Sequence, residues 1–182
     1  MKKLKYIVKE IISSVVIALF IFFFISFFFR LGVVDGSSME TTYQDGNRVV
    51  ILKAFNKFKV NDIVTFEFTQ ENEKFYEGLI ISSNYQKMIG EQHLKRIVAV
   101  GGDHIVIKDG ILFINNAKVS QTILYVPDQD YFVPEGSFFV QGDNVDNSFD
   151  SRFHGPIKEE QIYGRILTNK NSNNRSFWSI VI

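Results

Sequence analysis

The 182-residue chain is predicted to be mainly β, an antiparallel folded sheet or small barrel, preceded by one N-terminal transmembrane helix. Two observations carry this reading. Residues 11–29, IISSVVIALFIFFFISFFF, hold no charge, glycine or proline, whereas from Val33 onward the apolar residues come in short runs or alternate instead of recurring at helical spacing.

As a helix rising about 1.5 Å per residue, the apolar run reaches roughly 28 Å, the thickness of a bilayer's hydrocarbon core. Ser13, Ser14 and Ser26 fit within it, because small hydroxyls can bond to carbonyls of the preceding turn. A cleavable secretory signal and a buried core helix of a soluble protein are the competing readings. The run exceeds the roughly 7 to 15 apolar residues of a signal and leaves through Arg30, Leu31 and Gly32. Lys2, Lys3, Lys5 and Lys9 precede it, so the positive-inside bias holds the N-terminus in the cytoplasm and sends the chain beyond Arg30 across the membrane. Residues 1–32 are therefore read as cytoplasmic N-terminus and anchor, with the helix over about 11–29, and residues 33–182 as an extracytoplasmic β domain.

Within that domain Arg48–Leu52, Asp62–Phe68 and Leu94–Val100 read as strands. His104–Lys108 and Ile111–Ile114 flank Asp109-Gly110, a two-residue hairpin loop that tolerates positive φ. Asn115-Asn116 turns the chain into Ala117–Val119, and Ser137–Gln141 is a further strand bounded by Gly136 and Gly142. Residues 69–92 are polar and irregular, an inserted loop or hairpin with a substrate-contacting flap as the alternative. The apolar end Phe177–Ile182 is too short to span a bilayer and reads as a last strand in preference to an interfacial anchor.

Composition excludes several activities. Equal numbers of cationic and acidic residues, 20 each, give no net field toward a phosphate backbone, so nucleic acid is not an expected partner. With no cysteine there is no disulfide framework, thiolate metal site or cysteine nucleophile. Metalloprotease, EF-hand and nucleotide-loop motifs are absent, so no metal and no cofactor are expected. His93, His104 and His154 read as surface or half-buried structural residues, although counting alone leaves a Ser-His-Asp triad open.

Three segments could carry chemistry. Ser38 lies within about 30 Å of extended chain from the end of the apolar run. Gly142–Arg152 packs turn formers, carboxylates and an arginine directly after a strand, and a solvated loop is the plain alternative. In Leu94–Val100, alternation puts Lys95 on one face with Ile97 and Ala99. A snorkelling lysine is the ordinary reading of that position, and a desolvated amine acting as a base is the other. A reference pKa near 10.4 leaves about one lysine in 2,500 neutral at pH 7, a deficit of about 4.6 kcal/mol that burial can offset.

Taken in order, Gly36-Ser37-Ser38-Met39 with Thr42, Asp62-Ile63-Val64, Lys95-Arg96 with Gly102-Asp103, and Gly142-Asp143-Asn144 with Asn147-Ser148 and Asp150-Ser151-Arg152 resemble the type I signal peptidase family in its short Gram-positive form. The resemblance covers nearly the whole chain. It implies a membrane-bound serine endopeptidase that removes signal peptides from exported preproteins, cutting after small residues. Ser38 would be the nucleophile and Lys95 the general base, a Ser-Lys dyad needing neither histidine nor metal. Ser148 would hold the Lys95 amine in line, Asp143 would pair Arg96, Asp150 would pair Arg152, and the Ser38 backbone N–H would hold the oxyanion. Signal peptides and the lipid bilayer would be the partners, and the place of work the cell membrane, single-pass, with the catalytic domain extracellular. The chain departs from the family pattern at Thr41, usually Pro; Tyr43, usually Leu; Asn61, usually Gly; Gly101, usually Pro; Val145, usually Arg; and His154, commonly aromatic. Gly36 stands where some members carry a second oxyanion hydroxyl. A catalytically idle relative assisting the assembly of surface proteins, and an unrelated anchored β domain that binds a ligand, are the alternatives.

Overall fold

The computed structural model describes residues 2–53, 57–69 and 89–167. One long helix, α1 (Lys2–Phe28), runs without a connecting loop into strand β1 (Phe29–Val33). The strands β2 (Arg48–Leu52), β3 (Ile63–Glu67), β4 (Gln92–Val100), β5 (His104–Lys108), β6 (Ile111–Ile114), β7 (Ala117–Gln121), β8 (Gln129–Phe132) and β9 (Ser137–Gln141) come next. A single helical turn, α2 (Ser151–His154), β10 (Ile157–Lys158) and β11 (Ile162–Ile166) complete the described chain. Among the described residues all pairings are antiparallel: seven strands in the order β1-β2-β11-β3-β4-β9-β10, and four in the order β7-β6-β5-β8.

Three apolar clusters hold these layers. Val64, Phe66, Phe68, Ile97, Phe138, Val140 and Ile157 fill one side of the large sheet. Ala99, Ile105, Ile107, Leu112 and Phe139 join the two sheets. The register of β4 against β9 shifts between Ile97 and Ala99, so one strand serves both clusters. The third cluster, Val34, Met39, Tyr43, Val49, Ile51 and Ile166, lies beneath the loop joining β1 to β2.

The helix differs from the sequence expectation at both ends. It starts at Lys2, well before residue 11, because Lys, Leu and Glu in the first turns are good helix formers and nothing there breaks the backbone pattern. It stops at Phe28 because Phe29–Val33 pairs with Leu52–Arg48 along its whole length. The expected boundary after residue 32 thus falls inside a strand. Strands β8, β10 and β11 also lay outside the expectation, and Gln92, assigned to the polar loop, opens β4. Most of that 69–92 loop and the expected last strand Phe177–Ile182 lie outside the described residues.

Candidate active site

The loop between β1 and β2 carries Ser38, and its local chemistry explains where that side chain points. Val34 donates its N–H to the Asn47 carbonyl and Gly46 donates to the Val34 carbonyl, closing the loop at its base. Gly36 has φ +85°, in the left-handed region open to glycine, and its N–H is held by Asp45 at 2.9 Å. This conformation is the reason a side chain, and with it a second hydroxyl, is disfavoured at position 36. Met39 is buried in the third cluster, anchoring the segment, while its neighbour Ser38 stays half-buried.

Lys95 reaches the same place from the middle of the large sheet. It lies on β4, opposite Val64 of β3, and is 4% exposed. Its Nζ donates to Ser38 Oγ at 2.8 Å across 57 positions of sequence. Burial lowers the Lys95 pKa to about 8; the Asp150 carboxylate pulls it back up, and the Arg152 guanidinium pushes it down again. Asp150 and its own partner Arg152 therefore act on the amine in opposite directions, and burial is the larger effect.

Both arginine pairs form. Arg96, on the opposite face of β4 from Lys95, donates to Asp143 through Nε at 2.8 Å and through a second guanidinium nitrogen at 2.7 Å. This bond holds the guanidinium above its usual pKa. Arg152, 1% exposed, grips Asp150 in the same two-pronged manner at 2.8 and 2.9 Å. Asp150 also caps α2 by accepting the Arg152 backbone N–H, and accepts the Gly142 N–H at 2.9 Å. One buried carboxylate thereby fixes the return of the 142–150 loop.

That loop clamps the Ser38 segment with residues to which the sequence pattern assigned no role. Asn144 donates its backbone N–H to the Ser38 carbonyl at 3.0 Å and its side chain to the Ser37 carbonyl at 3.1 Å. Asn147 donates to Ser37 Oγ, and Thr42 Oγ donates to Asp143. Gly142 is indispensable to the fit. A Cβ there would sit 2.2 Å from Ser148 Oγ and 2.6 Å from the Ser38 carbonyl oxygen. The signal for these residues was their spacing in the Gly-Asp-Asn…Asn-Ser run, which local propensity reads only as turns.

Ser148 shares this wall of the site but does not make the expected contact. Its Oγ is buried without a hydrogen-bond partner among the described residues, while the Lys95 amine points to Ser38. His154, expected at the surface or half-buried, is instead 1% exposed, against Phe66, Phe68 and Phe149 at ring separations of 6.1, 5.0 and 5.7 Å. Burial there lowers its pKa to about 3, so it is a neutral ring filling the aromatic position of the family pattern. His104 pairs with Asp130 on the smaller sheet, away from Ser38. Among the described residues no group of His, Asp and Glu could hold a metal ion.

Comparison with known proteins agrees with this ordered set. A family model described as signal peptidase, peptidase S26, matches residues 7–169. The chain is 35% identical over 139 residues to thylakoidal processing peptidase 1, chloroplastic, of Arabidopsis thaliana, covering 72% of this chain but only 39% of that one. Signal peptidase I U of Bacillus subtilis (strain 168) is 31% identical over 177 residues, 90% of this chain and 86% of its own. A crystal structure of a signal peptidase I from Enterococcus faecalis V583 aligns with a TM-score of 0.42 at 24% identity, over 63% of this chain and 100% of that one. The chain spans about two fifths of the length of the Arabidopsis relative. With the family model matching from inside α1 to beyond β11, and every segment of the Ser38 and Lys95 neighbourhood within that match, the chain belongs to the signal peptidase family, peptidase S26.

Proposed function

We propose that the chain is a membrane-anchored serine endopeptidase that removes signal peptides from exported preproteins with Ser38 as nucleophile and Lys95 as general base. The observation that carries the proposal is the 2.8 Å separation of Lys95 Nζ and Ser38 Oγ, with the amine buried and its pKa lowered to about 8. A buried lysine bonded to a half-exposed serine on a loop is arranged for proton transfer at neutral pH.

In the neutral form the Lys95 lone pair accepts the Ser38 O–H across this distance. Ser38 Oγ attacks the scissile carbonyl carbon as its proton passes to Lys95, and the resulting oxyanion lies at the Ser38 backbone N–H. Collapse breaks the peptide C–N bond, and the ammonium returns its proton to the leaving amine. Water then attacks the ester carbonyl as one of its protons passes to Lys95; the ester C–O bond breaks, Lys95 returns that proton to Ser38 Oγ, and the acid product leaves. The unpartnered Ser148 hydroxyl is available to accept an N–H from the neutral amine and so keep the lone pair aimed at Ser38. Asp143 with Arg96 and Asp150 with Arg152 position the two loops.

The α1 helix is long and apolar enough to cross a membrane. The lysines at its N-terminal end favour a cytoplasmic N-terminus and an extracellular site in the cell membrane, where the cleavage point of a preprotein emerges. Cleavage of a preprotein by detergent-solubilised full-length protein, with Ser38→Ala and Lys95→Ala alongside, tests the proposal. Processing by the wild type alone supports the dyad. Equal processing by all three forms removes it, and no processing by any favours an assembly factor.

A further inference from the structure

We propose that the membrane helix is grafted rigidly onto the sheet and that Lys53 is the positioning residue that makes the graft, so that the span sets the height and tilt of the site over the bilayer. In its functional consequence this rests on the peptidase reading above. An anchor joined through a flexible linker would raise the local concentration of the site near the membrane but leave its orientation free. Here there is no linker. The last helical residue, Phe28, is succeeded directly by the first residue of β1, and all five residues of β1 are paired with β2.

The junction is bonded from the far side of the sheet's hairpin. A helix ends with carbonyls that lack an intrahelical partner and with a partial negative charge, which a cation relieves. The last turn of α1 has no basic residue of its own. Lys53, the residue after β2, supplies one: its Nζ donates to the Ser26 carbonyl at 2.6 Å, and its backbone N–H donates to the Phe28 carbonyl at 2.8 Å. The β1–β2 ladder thus continues into the helix end. Arg30 adds a second brace, donating to the Tyr163 hydroxyl at 3.2 Å with its guanidinium 5.3 Å from the ring centroid. Tyr163 belongs to β11 and packs against the cluster beneath the Ser38 loop. From α1 to Ser38 the path therefore runs through a paired strand of about 17 Å and a loop closed at its base. A helix fixed this way holds the nucleophile at one distance from the lipid, and that selects which peptide bond of a membrane-inserted preprotein it meets.

The absence of cysteine lets two labels be placed without removing native thiols. Leu19→Cys in α1 and Lys108→Cys at the exposed end of β5, spin-labelled in full-length protein in phosphatidylcholine–phosphatidylglycerol nanodiscs, report the helix-to-domain distance. The wild type should give one narrow distribution. Insertion of Gly-Ser-Gly between Phe28 and Phe29 should broaden it at least twofold, and Lys53→Met should broaden it measurably. On a short soluble peptide both variants should cleave within about twofold of wild type. On a preprotein inserted in the same membranes they should lose about tenfold or cut at additional positions. A wild-type distribution as broad as that of the insertion overturns the graft whatever the activity, and a Lys53→Met distribution as narrow as wild type removes Lys53 from it. Failure of the wild type to cut the soluble peptide counts against the peptidase reading alone, and the distance measurement still decides the graft.

Discussion

At Lys95 two effects compete for the proton. Removal from water disfavours the ammonium, and the Asp150 carboxylate favours it, but Arg152 holds that carboxylate in a two-pronged bond and opposes its pull. A base must be neutral to act, so kcat/KM on a peptide substrate should rise with pH, pass its midpoint at about 8 and then level off. A flat profile between pH 6 and about 9 would remove Lys95 from the role of base. Stability has the same sign: between about 8 and the ordinary 10.5 the unfolded chain binds a proton that the folded chain does not, so this group's destabilising effect fades as pH rises through that window. Replacing Arg152 with Met leaves Asp150 to favour the ammonium. The midpoint of the rate profile should then move to higher pH, and the buried unpaired carboxylate should cost about 3–5 kcal/mol in urea unfolding. An unshifted midpoint would mean that Arg152 serves only the loop.

The loop bearing Ser38 holds a β-branched residue at positive φ. Thr42 donates its N–H to the Met39 carbonyl across a turn whose third residue, Thr41, has φ +89°. This is the position of a type II turn where glycine is at ease and a β-branched residue is not. Proline, fixed near −65°, cannot adopt it, so this turn differs from one built on the family's usual Pro. Thr41→Gly should raise stability by about 1 kcal/mol, read as a higher urea midpoint. A lowered midpoint would show that the Thr41 side chain contributes more than its backbone costs. The strain has an evident consequence, because the residue after it, Thr42, bonds to Asp143 and ties the Ser38 loop to the Arg96 pair.

For the molecule as a whole, the boundary between anchor and domain decides what can be cut away. A chain beginning at Phe29 keeps β1 on the sheet, whereas one beginning at Val34 removes all of β1 and leaves Val49 and Ile51 of the core at an unpaired edge. The longer version should unfold cooperatively in urea, and the shorter one should unfold at a lower urea concentration, because the β1–β2 ladder is lost and the edge beside Val49 and Ile51 is opened. Equal midpoints would mean that β1 belongs to the anchor and contributes nothing to the domain.

Local sequence was sufficient for whatever depends on neighbouring residues. The apolar run announces a span, and uninterrupted apolar patterning announces β2, β5, β6 and β9 at the ends where they occur. The pairing of Ser38 with Lys95 was legible through the ordered family motifs, since neither residue alone distinguishes a nucleophile or a base from a surface hydroxyl or a snorkelling amine. Other features depended on partners distant in the chain. Gln129–Phe132 is half polar and Ile162–Ile166 contains a glycine, so both become strands only because β5, β2 and β3 offer them free edges. In the same way, α1 ends at Phe28 because β2 captures the next five residues, a competition that apolar content does not record. Hydrophobic pattern reports which side chains leave water, whereas ladder hydrogen bonds and the 57-residue closure onto Lys95 are set by how the folded layers meet.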